Sequence, residues 1–166
     1  MFDETARTEG DRMANPDYDL EYVGFWPRVG AAILDALLEG LITIPLLVLY
    51  YGKTYWNNTS MCQGPVDFLL SYIFPMFITI TFWLWKQATP GKMAIQSKIV
   101  DARTGKRLSV AQCFIRYVAY FLSILPLGLG LFWVIFDSRK QGWHDKLART
   151  VVVRPKNRVA AVKFEG

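Results

Sequence analysis

The fold of this chain is decided by residues 23–51, which read VGFWPRVGAAILDALLEGLITIPLLVLYY. A helix rising ~1.5 Å per residue crosses a ~30 Å hydrocarbon layer in about 20 residues, so this stretch is long enough to span a bilayer. It nevertheless contains Arg28, Asp35 and Glu39. Because an ionisable group at such depth costs roughly 3 kcal/mol or more, these side chains are expected to face a helix bundle or a wet cavity and to have partners.

The three ionisable residues lie on one face of the predicted helix. At about 100° per residue, Asp35 and Glu39 fall within about 20° of Arg28, and Thr43 lies about 60° away. Two interpretations follow: the charges neutralise one another and hold helices together, or they form a functional site. The second is favoured, because a charge cluster inside a membrane is a candidate functional site by default.

The composition predicts one small integral membrane domain. The 166 residues are 52% hydrophobic and 15% aromatic, and the charged residues, 20% of the chain, stay out of the apolar runs. Residues 1–22 hold seven acidic and two basic side chains and are predicted to be a disordered acidic cytoplasmic tail. The membrane domain is assigned to 23–154 and a basic C-terminal tail to 155–166. No recognition-helix pattern accompanies the net charge of +5, so it indicates membrane-surface anchoring and no nucleic-acid partner.

A second span is predicted from Val66 to about Trp85, and it carries a polar stripe. Residues at intervals of four form this stripe: Asp67, Ser71, Pro75 and Thr79. Pro75 is expected to kink the helix at its middle. Hydrogen bonding between helices is favoured over ligand binding for the stripe, so its polar side chains are supporting residues of the charged face, together with Thr43 of the first span.

Charge in the loops orients the chain. Seven basic residues lie between Lys86 and Arg116, against one, Lys53, in the loop at 52–65, so the second loop and the N-terminus are predicted to be cytoplasmic. A third apolar run, 117–136, is interrupted by LPLGLG at 125–130. If that run spanned the membrane fully, the basic C-terminal tail would lie outside. A re-entrant hairpin is therefore favoured, with a third span as the alternative.

A small cytoplasmic β-hairpin completes the predicted fold. Residues 94–100 alternate loosely in hydrophobicity, 101–105 read as a turn, and 150–153 are able to add a further strand. The fold class is therefore an all-α membrane protein with two full transmembrane helices, a broken third apolar segment and this hairpin.

The residues of most enzyme chemistries are missing. Gly91-Lys92 lacks the flanking residues of a phosphate-binding loop, and no nucleophile–base pair is recognisable. His144 is the only histidine and is far in the predicted topology from Cys62 and Cys113, so no metal set assembles. We predict no enzyme activity, no cofactor and no metal, and we expect His144 to pack the C-terminal region rather than relay protons.

Several short motifs recur together in a fixed order. They are Gly24-Phe25-Trp26-Pro27-Arg28, Asp35, Ala88-Thr89-Pro90-Gly91-Lys92, Phe136-Asp137 and the run QGWHDKLARTVVV at 141–153. In order and spacing they resemble the RDD family of bacterial membrane proteins, named for one arginine and two aspartates. The resemblance covers nearly all of 23–154, implies a multi-pass protein of the bacterial inner membrane, and matches Arg28, Asp35 and Asp137 to the three family residues. Glu39 lies outside the matched pattern.

Two functions of different classes are consistent with these features. For some members of the family cation/proton exchange has been proposed, and Asp35 with Glu39 forms a carboxylate pair suited to exchange a monovalent cation for a proton, with Arg28 and Asp137 in the same charge cluster. So few spans enclose a pathway only as a homo-oligomer or with a partner membrane protein. The alternative is a non-transporting adaptor in which the cluster is structural and the basic segments bind a protein partner or anionic lipid.

Overall fold

The computed structural model describes residues 20–57, 60 and 62–156. Its helices are α1 (Phe25–Tyr51), α2 (Thr54–Asn57), α3 (Pro65–Phe68), α4 (Phe74–Lys86), α5 (Pro90–Ala94), α6 (Val110–Ile124), α7 (Leu129–Phe132) and α8 (Trp143–Leu147), with a π-helical turn at Leu69–Ile73 and a 3₁₀ turn at Trp133–Ile135. Its strands are β1 (Leu20–Tyr22), β2 (Lys98–Asp101) and β3 (Thr150–Pro155). The prediction of a disordered acidic tail at 1–22 is wrong for its last three residues, which form β1. Residues 1–19 and 157–166 lie outside the described part of the chain.

Two of the described helices are long and apolar enough to cross a membrane. One is α1, with 27 residues, and the other is the helical run Pro65–Ala94, with 30 residues. Most of their surface is exposed on the isolated chain, as expected for side chains whose solvent is lipid. These two runs correspond to the two spans predicted from the sequence.

The predicted kink in the second span is a π-helical turn. Pro75 has no N–H with which to bond the carbonyl oxygen of Ser71, four residues earlier, and its ring crowds that carbonyl. The helix widens instead, and the Phe74 N–H bonds to the carbonyl oxygen of Leu69, five residues back. The proline therefore determines a local backbone geometry beside the polar stripe.

A three-stranded antiparallel sheet gathers distant parts of the chain. The strand order is β1-β3-β2, with Ile99 opposite Val152 and Tyr22 opposite Val153. The predicted addition of 150–153 to the strand near residue 100 is confirmed. The prediction of a hairpin is wrong, because within the described residues β2 pairs only with β3. The turn after β2 is closed by a hydrogen bond from the Asp101 N–H to the Lys106 carbonyl. The core joins the sheet to the nearby helix ends and includes Val23, Trp83, Ile99, Cys113 and Val152.

The third apolar run is sharply bent. α6 and the short helical segment 129–135 meet at 112° across residues 125–128, where Leu127 and Gly128 have positive φ angles. After the bend the chain returns to the sheet: Arg139 Nη2 donates to the Ala102 carbonyl at 2.7 Å, while Gln112 Nε2, near the start of α6, donates to Asp101 Oδ2 at 2.6 Å. Both ends of the segment therefore lie at the same turn.

α6 presents two contrasting faces. Its apolar face is exposed and consists of Ala111, Phe114, Ile115, Val118, Phe121 and Leu122. The opposite face is buried and includes Cys113, Arg116, Ala119 and Ser123. Ser123 lies so close to Gly130 that a Cβ on that glycine would be 2.6 Å from the serine Cα. The helix thus buries its small and polar side against the returning chain.

Candidate functional site

Arg28 is bound to the C-terminal part of the chain. Its Nη1 donates to Asp145 Oδ2 at 2.5 Å, its Nη2 to the Lys140 carbonyl at 2.7 Å, and its Nε to the Val23 carbonyl at 2.9 Å. The side chain is 11% exposed. The bonds to Asp145 and Lys140 hold the start of α1 against the segment that returns from the bend, and the bond to Val23 is local.

Asp145 is the centre of a buried ionic network. It is fully buried, forms ion pairs with Arg28 and with the fully buried Arg116, and accepts the Gly142 N–H at 3.0 Å. Arg116 also donates to the hydroxyl of Thr150. Burial alone would raise the pKa of Asp145, but the two guanidinium groups hold that pKa well below its usual range. We call Arg28, Arg116, His144, Asp145 and Thr150 the Asp145 network.

His144 is a packing residue within this network, as expected from the sequence. Its ring stacks on Tyr120 with centroids 3.9 Å apart, and its backbone N–H donates to the Ser123 hydroxyl at 3.1 Å. Burial lowers the pKa of His144 to about 3, although the neighbouring Asp145 acts in the opposite direction. The imidazole is therefore neutral at physiological pH.

Asp35 joins α1 to α5. Its carboxylate accepts the Thr89 hydroxyl at 2.5 Å and the Gly91 N–H at 2.6 Å. The two backbones are so close that a Cβ on Gly91 would lie 2.0 Å from the Ala31 carbonyl oxygen. The ATPGK motif at 88–92 is thus a docking segment for α1, with both Asp35 oxygens occupied.

Asp137 organises the turn before α8. It forms an ion pair with Lys146 and accepts the N–H groups of Gln141 at 3.0 Å and Arg139 at 3.1 Å. Burial acts to raise its pKa, but the hydrogen bond from Lys146 and those from the backbone lower it overall. Arg28, Asp35 and Asp137 therefore bind three different groups, and the single charge cluster expected from the sequence is not formed by these three residues.

Glu39 differs from Asp35 and Asp137. It is exposed on the isolated chain and has no hydrogen bond or ion pair to any residue that the structure describes. It lines a cavity of about 240 Å³ with Ala36, Gly40, Thr43, Ile44, Leu47, Tyr55 and Ser71. Thr43 is 7% exposed, and its hydroxyl has no hydrogen-bond partner within the described residues. We call this space the Glu39 cavity.

A second cavity adjoins it on the side of the 52–65 loop. It measures about 420 Å³ and is lined by Tyr55, Trp56, Ser60, Gln63, Asp67, Ser71 and Tyr72. Asp67 is 7% exposed and accepts the Ser71 hydroxyl at 2.7 Å and the Gln63 N–H at 2.8 Å. We call this space the Asp67 cavity. Of the other predicted supporting residues, Ser71 borders both cavities and Thr79 borders neither.

The family model of the RDD family matches residues 22–149. The chain belongs to the RDD family. This confirms the resemblance seen in the sequence motifs. An uncharacterised protein of Rickettsia prowazekii (strain Madrid E), RP437, is 41% identical to this RDD protein, over 80% of this chain and 96% of the relative.

Further relatives come from Bacillus subtilis (strain 168). The uncharacterised protein YckC is 33% identical, over 78% of this chain and 82% of its own length. The uncharacterised membrane protein YteJ is 31% identical, over 81% of this chain and 82% of its own length. No solved structure matches. The family and the name of YteJ place this RDD protein among membrane proteins.

Sequence reasoning missed the two most deeply buried charges, Arg116 and Asp145. For Arg116 one signal was available, because it lies opposite the apolar face of α6, three residues after Cys113. A charge that is buried on that face requires a buried partner to neutralise it. For Asp145 the only signal was its place in the motif at 141–153, because its neighbours are polar and its partner Arg28 is 117 positions away. Only the folded structure shows that these residues form one network.

Proposed function

We propose that this RDD protein is a small membrane transporter, or a transporter subunit, that exchanges a monovalent cation for protons at Glu39. The observation that carries the proposal is the Glu39 cavity, which combines an unpaired carboxylate with a buried, unpartnered hydroxyl on Thr43. A carboxylate without a partner is expensive inside a membrane and is a functional-site candidate for that reason.

The neighbouring Asp35 supports the assignment to Glu39. Asp35 lies one helical turn before Glu39, and its two oxygens are occupied by Thr89 and Gly91. Two carboxylates in a medium of low dielectric repel one another when both are ionised, so the arrival of a cation favours release of a proton. With Asp35 fixed as the docking residue, Glu39 is the member of the pair that is free to exchange.

The topology that we propose has two spans and a re-entrant segment, with the N-terminus in the cytoplasm and the protein in the bacterial inner membrane. The contacts of Gln112 and Arg139 with the turn at 101–102 support re-entry, because they return the bent segment to the end where it began. The excess of Lys and Arg in the 86–116 segment over the 52–65 loop supports a cytoplasmic location for that end.

A homo-oligomer or a partner membrane protein completes the proposed pathway. Ala36 and Gly40 line the cavity beside Glu39 and allow another helix backbone to approach closely. Such a neighbour would shield the carboxylate from lipid. Two spans alone leave the cavity open at the side.

The test is proton movement in sealed vesicles that contain purified protein and a monovalent-cation gradient. We expect cation-dependent proton flux from the unmodified protein, loss of that flux in Glu39→Gln, and its retention in Glu21→Gln. Glu21 is the matched control because it pairs with Arg154 at the sheet, outside the cavity. Absence of flux from the unmodified protein, or full flux from Glu39→Gln, overturns the proposal.

The adaptor remains the second candidate, and exposed basic side chains favour it. They surround the sheet and the adjoining turns: Arg103, Lys106, Arg107, Arg139, Lys146 and Arg149. Such a surface attracts anionic lipid or an acidic protein segment. Retention of anionic over neutral lipid by the solubilised protein, reversed by salt and without any flux, would favour this function.

A further inference from the structure

We propose that the Glu39 cavity and the Asp67 cavity form one water-filled inlet, which admits small cations from the membrane face carrying the Cys62–Gly64 segment and leads them to Glu39. The inference rests on the proposed function only for the transport of the ion. The inlet and its preference for cations are properties that can be measured without transport.

The two cavities meet at two shared lining residues beside the second span. Both are lined by Tyr55 and Ser71, one from the 52–65 loop and one from the π-helical turn. Their volumes of about 240 and 420 Å³ each hold several waters at ~30 Å³ per molecule. The combined space therefore runs from the loop to the middle of α1.

Unpartnered polar atoms indicate that water occupies this space. The Thr43 hydroxyl borders the inner cavity, and the Gln63 side-chain oxygen Oε1 belongs to a residue of the outer one; both atoms are buried, and neither has a hydrogen-bond partner within the described part of the chain. Buried polar groups are seldom left unpaired, and internal water is the usual partner in a polar cavity. One such atom at each end of the inlet is the pattern expected of a hydrated path.

The π-helical turn places polar groups at the junction of the cavities. Ser71 lies in this turn, borders both cavities and donates its hydroxyl to Asp67 Oδ1 at 2.7 Å. π-helical turns inside α-helices occur frequently at functional sites. Here the missing N–H of Pro75 accounts for the widened backbone of the turn that carries Ser71.

Asp67 gives the inlet its charge preference. Its carboxylate accepts hydrogen bonds from Ser71 and Gln63, but no Lys or Arg forms an ion pair with it among the described residues. An uncompensated carboxylate in a cleft with low-dielectric walls concentrates cations and repels anions. A single carboxylate with neutral oxygen neighbours suits a small monovalent cation.

The experiment measures the rate at which membrane-impermeant thiosulfonate reagents modify introduced cysteines. Exposed Cys62 in the unmodified protein reports which side the reagent reaches, and all variants then carry Cys62→Ser, with buried Cys113 as the blank. Ser71→Cys and Thr43→Cys report the inlet. The matched controls are Phe77→Cys on the second span and Leu41→Cys on α1, since both side chains are exposed on the outer surface and line neither cavity.

We expect Ser71→Cys and Thr43→Cys to react, from the side that reaches Cys62, at least about tenfold faster than the controls, because a thiol facing lipid does not form the reactive thiolate. A cationic reagent should react about tenfold faster than an anionic one, and Asp67→Asn should remove that preference. Melting of each variant in detergent establishes that it is folded, and the two reporters on different helices keep the test valid if one fails to fold.

The outcomes separate the inlet from transport. Equal, slow labelling of reporters and controls overturns the inlet even if Glu39→Gln abolishes flux. Rapid labelling with no charge preference, or with a preference that survives Asp67→Asn, overturns the role of Asp67. Rapid, cation-selective labelling of a protein that shows no flux supports the inlet and overturns the proposed transport.

Discussion

Replacement of Asp145 by Asn leaves two arginines facing a neutral amide. Arg116 is fully buried and Arg28 is 11% exposed, so neither guanidinium regains much water when the carboxylate is neutralised. Removal of one partner from a buried ion pair costs about 3–5 kcal/mol. Arg116 keeps hydrogen bonds to Thr150 and Tyr120, which places the expected loss in the lower half of that range. Arg28→Gln should cost less, because Asp145 retains Arg116.

A double-mutant cycle distinguishes the observed pairing from the one expected from the sequence. Arg28→Gln combined with Asp145→Asn should destabilise the protein by about 1–3 kcal/mol less than the sum of the single changes. Once one partner of the ion pair has been replaced, the second replacement no longer leaves an unpaired charge in this pair. Arg28→Gln combined with Asp35→Asn should be additive within about 0.5 kcal/mol, since these residues share no partner. The free energy of unfolding in mixed micelles, from denaturant titration, provides the four values of each cycle. Additivity in the first cycle, or strong coupling in the second, would refute the pairing.

Three further predictions concern packing, pH and topology. Gly91→Ala should lower both the yield and the stability, the latter by more than about 2 kcal/mol, because the added Cβ would lie 2.0 Å from a carbonyl oxygen of α1. Gly30→Ala, whose Cβ would point into open space, should leave stability unchanged. Equal melting temperatures of the two variants would contradict the close contact at Gly91. Folding lowers the pKa of His144 from 6.5 to about 3. Between these two pH values the unfolded chain binds a proton that the folded chain does not, so stability should fall by up to about 1.4 kcal/mol per pH unit on acidification. His144→Gln should therefore flatten the change in melting temperature between pH 7 and 5, and an unchanged slope would exclude the histidine as its cause. Arg149→Cys, made with Cys62→Ser, should resist an impermeant reagent applied from the side that labels native Cys62, and ready labelling from that side would exclude the re-entrant topology.

Local patterns in the sequence predicted the elements of this fold well. The apolar length of 23–51 predicted α1, and the valines of 150–153 predicted the strand that pairs with β2. Those signals depend on neighbours a few residues apart, which the sequence presents directly. Pro75 predicted a distortion at the right place, but only the folded helix showed that the distortion is a π-helical turn.

The partners of the charged residues were not predictable in the same way. Helical spacing placed Arg28 and Asp35 on one face, but a shared face specifies only the direction in which side chains point. The partner of Arg28 comes from α8, and the partners of Asp35 come from the segment before and within α5. Which distant segment meets a given turn of helix depends on the bend at 125–128 and on the sheet, and no periodicity in α1 encodes either.

The hydrogen bonds that each carboxylate accepts separate Asp35 and Asp145 from Glu39, and this difference carries the functional argument further than the family motif does. Asp35 and Asp145 have both oxygens occupied by groups fixed in the protein, so an arriving ion or proton must displace a bond that holds the fold together. Glu39 has no such bond within the described chain and borders a cavity where the Thr43 hydroxyl is also unpartnered. Exchange at Asp35 would therefore undock α5, whereas exchange at Glu39 leaves every observed contact in place. We therefore propose that Asp35 and Asp145 maintain the architecture, and that the exchange takes place at Glu39, which lies outside the family pattern.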